Sequence, residues 1–299
     1  MLNLQLYNTK QTNMKKRLFY YFLFAFSVTL GNAQELKNLE RINLEGYFTN
    51  PVASPNGKFA LVTSEHFNGV FLLDLSTQEI NQISEKEGSG YGYCWNKDSE
   101  SFYFKQKNKD DYYLNSKTYS YTINTKQITE LSEINHNYLP SFNGFNKEDE
   151  SQIIVYTNIT TLKIHAKDLI TQKDWVVTQD DGQFYNAILS HDSKKVAVHN
   201  GADIYVYNIY GNEKAVKIGT GIATSWSPND NYLIGFLDQS SDGHTIDNSE
   251  IYIYNSEKYS PKKITNTEVF SEMFPSFIED NKILFSDDKT GRIYSFNIQ

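Results

Sequence analysis

The chain has 299 residues, of which 15% are aromatic, with 22 Tyr, 19 Phe, six Pro and one Cys. That length suits one large all-β domain or two average domains, and no Pro- or Ser-rich stretch reads as a linker. A formal net charge of −8 argues against nucleic acid and anionic membranes as partners and leaves cations or basic protein patches.

The first predicted element is an export signal. Lys15-Lys16-Arg17 precede thirteen uncharged, mostly apolar residues, Leu18 to Leu30. Gly31-Asn32-Ala33 follows, with small residues at the two positions a signal peptidase reads. This order predicts a secretory signal peptide over residues 1–33, with translation starting at Met14 and cleavage leaving Gln34 first. The apolar run is short for a membrane span of about 20 residues. No cysteine near the cleavage point offers a lipid anchor, so no membrane insertion is expected after cleavage. Residues 1–33 hold four basic residues and no acid, which leaves 24 basic against 36 acidic residues in 34–299. The expected destination is the periplasm or the extracellular space.

From there one unit recurs six times. A short apolar strand ends in a polar turn, a second apolar strand follows, and an alternating aromatic strand comes third. Copy one turns at Ser54-Pro55-Asn56-Gly57-Lys58 and continues with 59–63, 70–75 and 79–83. Copy two turns at 95–99 and copy three at Phe145-Asn146-Lys147-Glu148-Asp149. Copy four turns at 189–193 and shows Ile204-Tyr205-Val206-Tyr207. Copy five has Trp226-Ser227-Pro228-Asn229-Asp230 and Ile251-Tyr252-Ile253-Tyr254. Copy six turns at 277–281 and ends on Ile293-Tyr294-Ser295-Phe296. Units of about 40 to 50 residues are those of propeller blades. Ser and Asn bond back to the local backbone in such turns, Pro presets φ, and Gly, Asn or Asp tolerates the reversal. Copy six lacks a fourth strand, and Leu39-Glu40-Arg41-Ile42-Asn43 resembles it. The reading is therefore an all-β, six-bladed β-propeller over 34–299, closed by an N-terminal strand that removes the exposed edge.

These motifs resemble the TolB-like propeller family. Its repeat reads Trp/Phe-Ser-Pro-Asp-Gly-Lys, an apolar strand, then Asp/Glu-Ile-Tyr-Val-Tyr-Asp. Ser54–Lys58 and Trp226–Asn229 are similar to its turn. Asp203–Tyr207 and Glu250–Tyr254 are similar to its third strand. The resemblance implies a six-bladed, non-enzymatic, protein-binding ring in the cell envelope, without the family's N-terminal α/β domain. The same repeat occurs in propellers attached to peptidases and in some polysaccharide lyases. No Gly-x-Ser-x-Gly elbow occurs here.

Candidate chemistry is sparse. None of the six His forms a His-x-His or His-Glu-x-x-His pair. His165 and His199 read as packing or strand-edge residues, and His191 as a solvated turn residue. Cys94, in the apolar run Tyr91–Trp95, reads as a small buried hydrophobe. The most unusual segment is 238–250, a long polar insertion between two strands of copy five. Its Asp238, Asp242, Asp247 and Glu250 offer oxygens that suit Ca²⁺, beside His244. Asp-Gly also makes an ordinary turn, so a hydrogen-bonded structural loop is the competing reading. No other cofactor is implied. His66 is a further loop candidate. Tyr91, Tyr93, Tyr138 and Tyr185 fall near blade junctions, where they either line a channel mouth for a peptide or sugar or pack between blades. Two functions follow: a non-catalytic module binding an envelope protein or peptide, or a metal-assisted polysaccharide-binding or polysaccharide-cleaving propeller.

Overall fold

The computed structural model describes residues 36–107, 116–131, 141–142 and 152–298. The signal segment, Tyr138 and the turn assigned to 145–149 lie outside these residues. Within them, 24 strands form six four-stranded antiparallel sheets, each wound as a meander. The fold is a six-bladed β-propeller.

The outer strand of the sixth blade comes first in the chain, as β1 (Lys37–Arg41). Blade one holds β2 (Thr49–Ala53), β3 (Phe59–Thr63), β4 (Val70–Asp74) and β5 (Ile80–Ser84). Blade two holds β6 (Tyr93–Trp95), β7 (Ser101–Lys107), β8 (Ser116–Thr122) and β9 (Gln127–Glu130). Blade three holds β10 (Ser141–Phe142), β11 (Ile153–Asn158), β12 (Lys163–Asp168) and β13 (Asp174–Val176). Blade four holds β14 (Phe184–Leu189), β15 (Lys195–Asn200), β16 (Asp203–Asn208) and β17 (Val216–Thr220). Blade five holds β18 (Ile222–Trp226), β19 (Tyr232–Gln239), β20 (Asn248–Asn255) and β21 (Lys262–Lys263). Blade six holds β22 (Glu272–Glu279), β23 (Lys282–Asp287) and β24 (Arg292–Asn297). β1 pairs with β24, with Glu40 opposite Ser295 and Arg41 opposite Tyr294.

A blade in a ring is covered on both faces, so its second strand must be apolar on both. Ala60-Leu61-Val62, Val196-Ala197-Val198 and Ile283-Leu284-Phe285 meet that demand and are fully buried. The buried side chains cluster at the blade interfaces. Leu61, Val70 and Leu72 of blade one meet Tyr93, Trp95, Phe102 and Phe104 of blade two. Ile42, Leu44, Leu284 and Ile293 pack against Ala60, Val62 and Leu73 between blades six and one. Burying each large aliphatic side chain contributes about 1.5–3 kcal/mol.

The turn between first and second strands repeats one hydrogen-bond pattern. Ser54, Ser190 and Ser227 donate through Oγ to Asn56, Asp192 and Asn229 Oδ1 at 2.8, 2.8 and 2.9 Å. The serine Oγ atoms in turn accept the backbone N–H of Phe59, Lys195 and Tyr232. The turn then needs a left-handed residue, supplied by Gly57, Ser99, Ser193 and Asp230 at φ 67, 60, 58 and 55°. These turns also link neighbouring blades. Ser99 Oγ accepts Asn56 N–H at 3.0 Å, and Asp230 accepts the N–H groups of His191 and Asp192 at 3.0 and 2.9 Å. His191, read from sequence as merely solvated, places Nδ1 2.7 Å from Asp230 Oδ1. The three indoles add further links, Trp175 Nε1 donating to Ile209 O at 2.9 Å from blade three to blade four. Trp95 Nε1 donates to Val52 O at 2.8 Å, and Trp226 Nε1 to Ile188 O at 3.0 Å.

Removing residues 36–44 strips β24 of its partner and uncovers the surface beneath Leu36, Ile42 and Leu44. The melting temperature should fall by roughly 10 °C or more, read by circular dichroism. An unchanged transition would show that β1 adds nothing to the ring.

Candidate functional site at the mouth of the central channel

The six first strands face the ring axis, and the described ones enclose a cavity of about 680 Å³. Such a volume suits a small ligand or a few residues of an extended chain. One end is knitted by the Ser turns. The other end, where the first strands begin, is the mouth.

Register shifts concentrate at this mouth. β2, β14, β18 and β22 each shift register near their start, between Thr49 and Val52, Tyr185 and Ile188, Ala223 and Ser225, and Met273 and Ser276. Asn50, Asn186 and Phe274 sit in these bulges in the left-handed region, at φ 52, 50 and 51°. His66 and Phe67, in the 3-10 turn after β3, do the same at 58 and 56°. A bulky residue there is strained by about 1–3 kcal/mol, and such strain collects at functional sites. The bulges turn side chains inward or across to the next blade. Asn186 Nδ2 donates to Ala223 O at 3.0 Å, Ser276 Oγ accepts Ala53 N–H at 3.0 Å, and Tyr93 Oη donates to Asn50 O.

The mouth carries a continuous aromatic run. Tyr91 stacks on Phe67 at 4.5 Å, Phe67 meets Phe274 edge-on at 5.9 Å, and Phe274 tilts against Phe236 at 5.1 Å. The run crosses blades two, one, six and five. Its outer member, Tyr91, is 59% exposed. Tyr91, Phe67, Phe274, Asn50 and Asn186 all line the cavity. Sequence reasoning found Tyr91 but missed Phe67, Phe274 and Asn186. The signal in Thr49-Asn50-Pro51, Phe184-Tyr185-Asn186 and Met273-Phe274-Pro275 is a bulge-forming step at one blade position, visible only after the blades are aligned.

The other predicted residues are dispersed. Tyr185 is exposed, stacks on His199 at 5.4 Å and donates to Gly201 O. His66 is exposed, 3.7 Å from Glu65. Cys94, read as buried, is half-buried and lines the channel. His199 is fully buried, and its Nε2 accepts Ala223 N–H at 3.0 Å. Burial pushes its imidazole down to about 4, so it bridges blades four and five as a neutral ring.

In the 238–250 segment the carboxylates turn on their own loop. Asp242 accepts the N–H groups of His244 and Thr245, both at 2.7 Å, and the hydroxyls of Ser240 and Thr245. These bonds hold its carboxyl well below the usual range. Asp247 Oδ2 accepts Ser241 N–H at 2.6 Å. Asp238 and His244 are exposed. Glu250 instead lies 3% exposed between blades five and six, accepting from Thr265 Oγ1 at 2.7 Å, with Lys263 Nζ at 3.2 Å. The segment thus splits into an exposed self-bonded turn and one buried acid. Among the described residues no three His, Cys, Asp or Glu side chains converge as a metal-binding group.

Glu272 is a second acid at this interface, fully buried, with Oε1 accepting from Thr267 Oγ1 at 2.7 Å and Oε2 unpartnered. Burial pushes its carboxyl up to about 7, and the charges of Glu250 and Asp287 add to this.

TolB from Acinetobacter baumannii superposes with a TM-score of 0.52 at 15% identity, over 84% of this chain and 63% of that one. The fold is that of the TolB-like six-bladed propellers. A putative TolB from Agrobacterium tumefaciens gives 0.55 at 13% identity, over 87% and 97%. An oligogalacturonate lyase in complex with manganese gives 0.50 at 15%, over 87% and 93%. This chain therefore spans under two thirds of the Acinetobacter TolB. No family model and no curated protein sequence matches it.

Glu272 sets a testable pH dependence. Its folded carboxyl holds its proton up to about 7 against an ordinary 4.5. Its stabilising contribution is thus fully present below about 4.5 and is lost as pH rises through about 7. Glu272→Gln should leave the melting temperature near wild type at pH 5 and raise it by several degrees at pH 8. A variant offset equal at both pH values would remove Glu272 as the titrating group.

Proposed function

We propose that this protein is an exported, non-catalytic propeller that binds an envelope protein or peptide at the channel mouth. The observation that carries the reading is the aromatic run from Tyr91 to Phe236, opening on a cavity of about 680 Å³. Solvent-exposed tyrosine on a rigid ring supplies large contact area at low entropic cost, as binding surfaces require. Export rests on the Lys15–Ala33 pattern, and no helix of the described residues is long and apolar enough to cross a membrane. The fold shared with TolB structures supports the same reading, since it supplies a ring whose loops are free to vary. A periplasmic or extracellular site follows from the signal.

The second reading, a metal-assisted polysaccharide-binding or -cleaving propeller, draws on the fold shared with the oligogalacturonate lyase. It requires ligands to gather around an ion, and Asp242 and Asp247 are already committed to their own turn.

Affinity capture from envelope extract with the mature chain should retain a saturable partner. Tyr91→Ala should lose it while keeping the wild-type melting temperature, because an exposed side chain contributes little to the core. Capture unaffected by Tyr91→Ala would move the site elsewhere. Release of unsaturated products from oligogalacturonate with added divalent cation would favour the second reading.

A further inference from the structure

The two faces of the ring differ in charge. The mouth face is formed by connections from second to third strands and from fourth strands to the next blade. Those described are 42–48, 64–69, 85–92, 159–162, 177–183, 201–202, 221, 240–247, 264–271 and 288–291. They contain ten Asp and Glu against two lysines, Lys86 and Lys289. The described connections of the opposite face are 54–58, 75–79, 96–100, 123–126, 169–173, 190–194, 209–215, 227–231, 256–261 and 280–281. These contain eight acids against seven lysines. Among the described connections the acidity is thus unevenly spread, and the aromatic mouth opens on the more acidic side.

The placement within that face is as telling as the count. Glu65 adjoins Phe67, Glu85 and Glu87 precede the 3-10 turn that carries Tyr91, and Asp180 and Asp181 precede β14. All five are exposed. On the opposite face the acids are partly spent on structure, with Asp192 and Asp230 accepting bonds within and between turns. On the mouth face Asp180 likewise accepts a bond from Tyr207 Oη at 2.7 Å, while Glu65, Glu85, Glu87 and Asp181 remain as a field beyond the lining of the aromatic cavity, summed over distances near the Debye length of about 8 Å. Such a field attracts cations and repels polyanions. Tyr91 and Phe67 add ring faces that favour a cationic head group. The cavity is too small for a folded domain but admits an extended chain.

We infer that the mouth receives an extended, lysine- or arginine-bearing polypeptide segment, recognised by the Tyr91–Phe67–Phe274 run inside a carboxylate rim. This rests on the reading of the mouth as a protein-binding site and adds the charge class of the partner. An anionic polymer such as polygalacturonate is the wrong sign for this rim.

Matched short peptides of Tyr with Lys, Tyr with Gln and Tyr with Glu, together with polygalacturonate, provide the test by calorimetry on the mature chain. The Lys peptide should bind, weaken about tenfold from about 50 to about 300 mM salt, and lose binding with Tyr91→Ala. The combined change Glu85→Gln, Glu87→Gln and Asp181→Asn should weaken it about tenfold through loss of rim charge. Glu213→Gln with Glu257→Gln, on the opposite face, should leave affinity unchanged. Equal binding of the Gln peptide, or Lys-peptide binding indifferent to salt or to Tyr91, overturns the charge class. In the first of these cases the mouth stands as a protein site. Binding of polygalacturonate overturns the inference as well, and binding of no probe overturns both it and the reading beneath it.

Discussion

A blade of four strands has two apolar faces and no way to cover either alone. That constraint governs the molecule. Each blade must meet a neighbour on both sides, so its second strand is apolar on both faces, as in Val196-Ala197-Val198. The core becomes a set of interfaces rather than one central body. It also leaves the axis open, because first strands that converge on a centre cannot all pack against one another. The cavity is therefore a geometric by-product of burial between blades, and function is free to use it.

The ring spends its two faces differently. On one face the Ser turns are tied within and between blades, through Ser99 to Asn56 and Asp230 to His191 and Asp192. Side chains engaged in that way have little capacity left for a ligand. On the other face the bulges at Asn50, Asn186 and Phe274 break the strand ladders where they meet the channel. A bulge frees backbone direction at the cost of local strain, which the surrounding blades sustain. Rigidity from one face thus supports irregularity on the other.

The sequence reveals whatever repeats. Ser54, Ser190 and Ser227 are recognisable because the same turn needs the same hydroxyl three times, and Ile204–Tyr207 and Ile251–Tyr254 because alternation is local. What does not repeat is harder to read. Glu250 follows Asp247 by three residues, yet it lies on β20 at a buried position while Asp247 lies in the exposed turn. Proximity along the chain suggested one site, but the pleat and the blade interface separated it. His191 read as solvent-facing because its partner, Asp230, lies 39 residues away in the next blade. The aromatic run was illegible for the same reason. Tyr91, Phe67, Phe274 and Phe236 come from four blades, and only the ring brings them together.

The buried acids between blades five and six show how far the ring tolerates cost. Glu250 is compensated by Thr265 and Lys263. Glu272 has Thr267 for one oxygen and nothing for the other, and its raised titration is the answer to burial without a counter-charge. Buried ionisable groups persist where the surrounding packing outweighs their desolvation or where a neutral form is available. Glu272 meets the second condition, since protonation removes the charge that its surroundings cannot solvate. Its backbone carbonyl also accepts Ser249 Oγ at 2.7 Å, so the residue joins blade five to blade six through its main chain whatever its charge. The interface therefore holds in both protonation states, and its strength, rather than its existence, depends on pH.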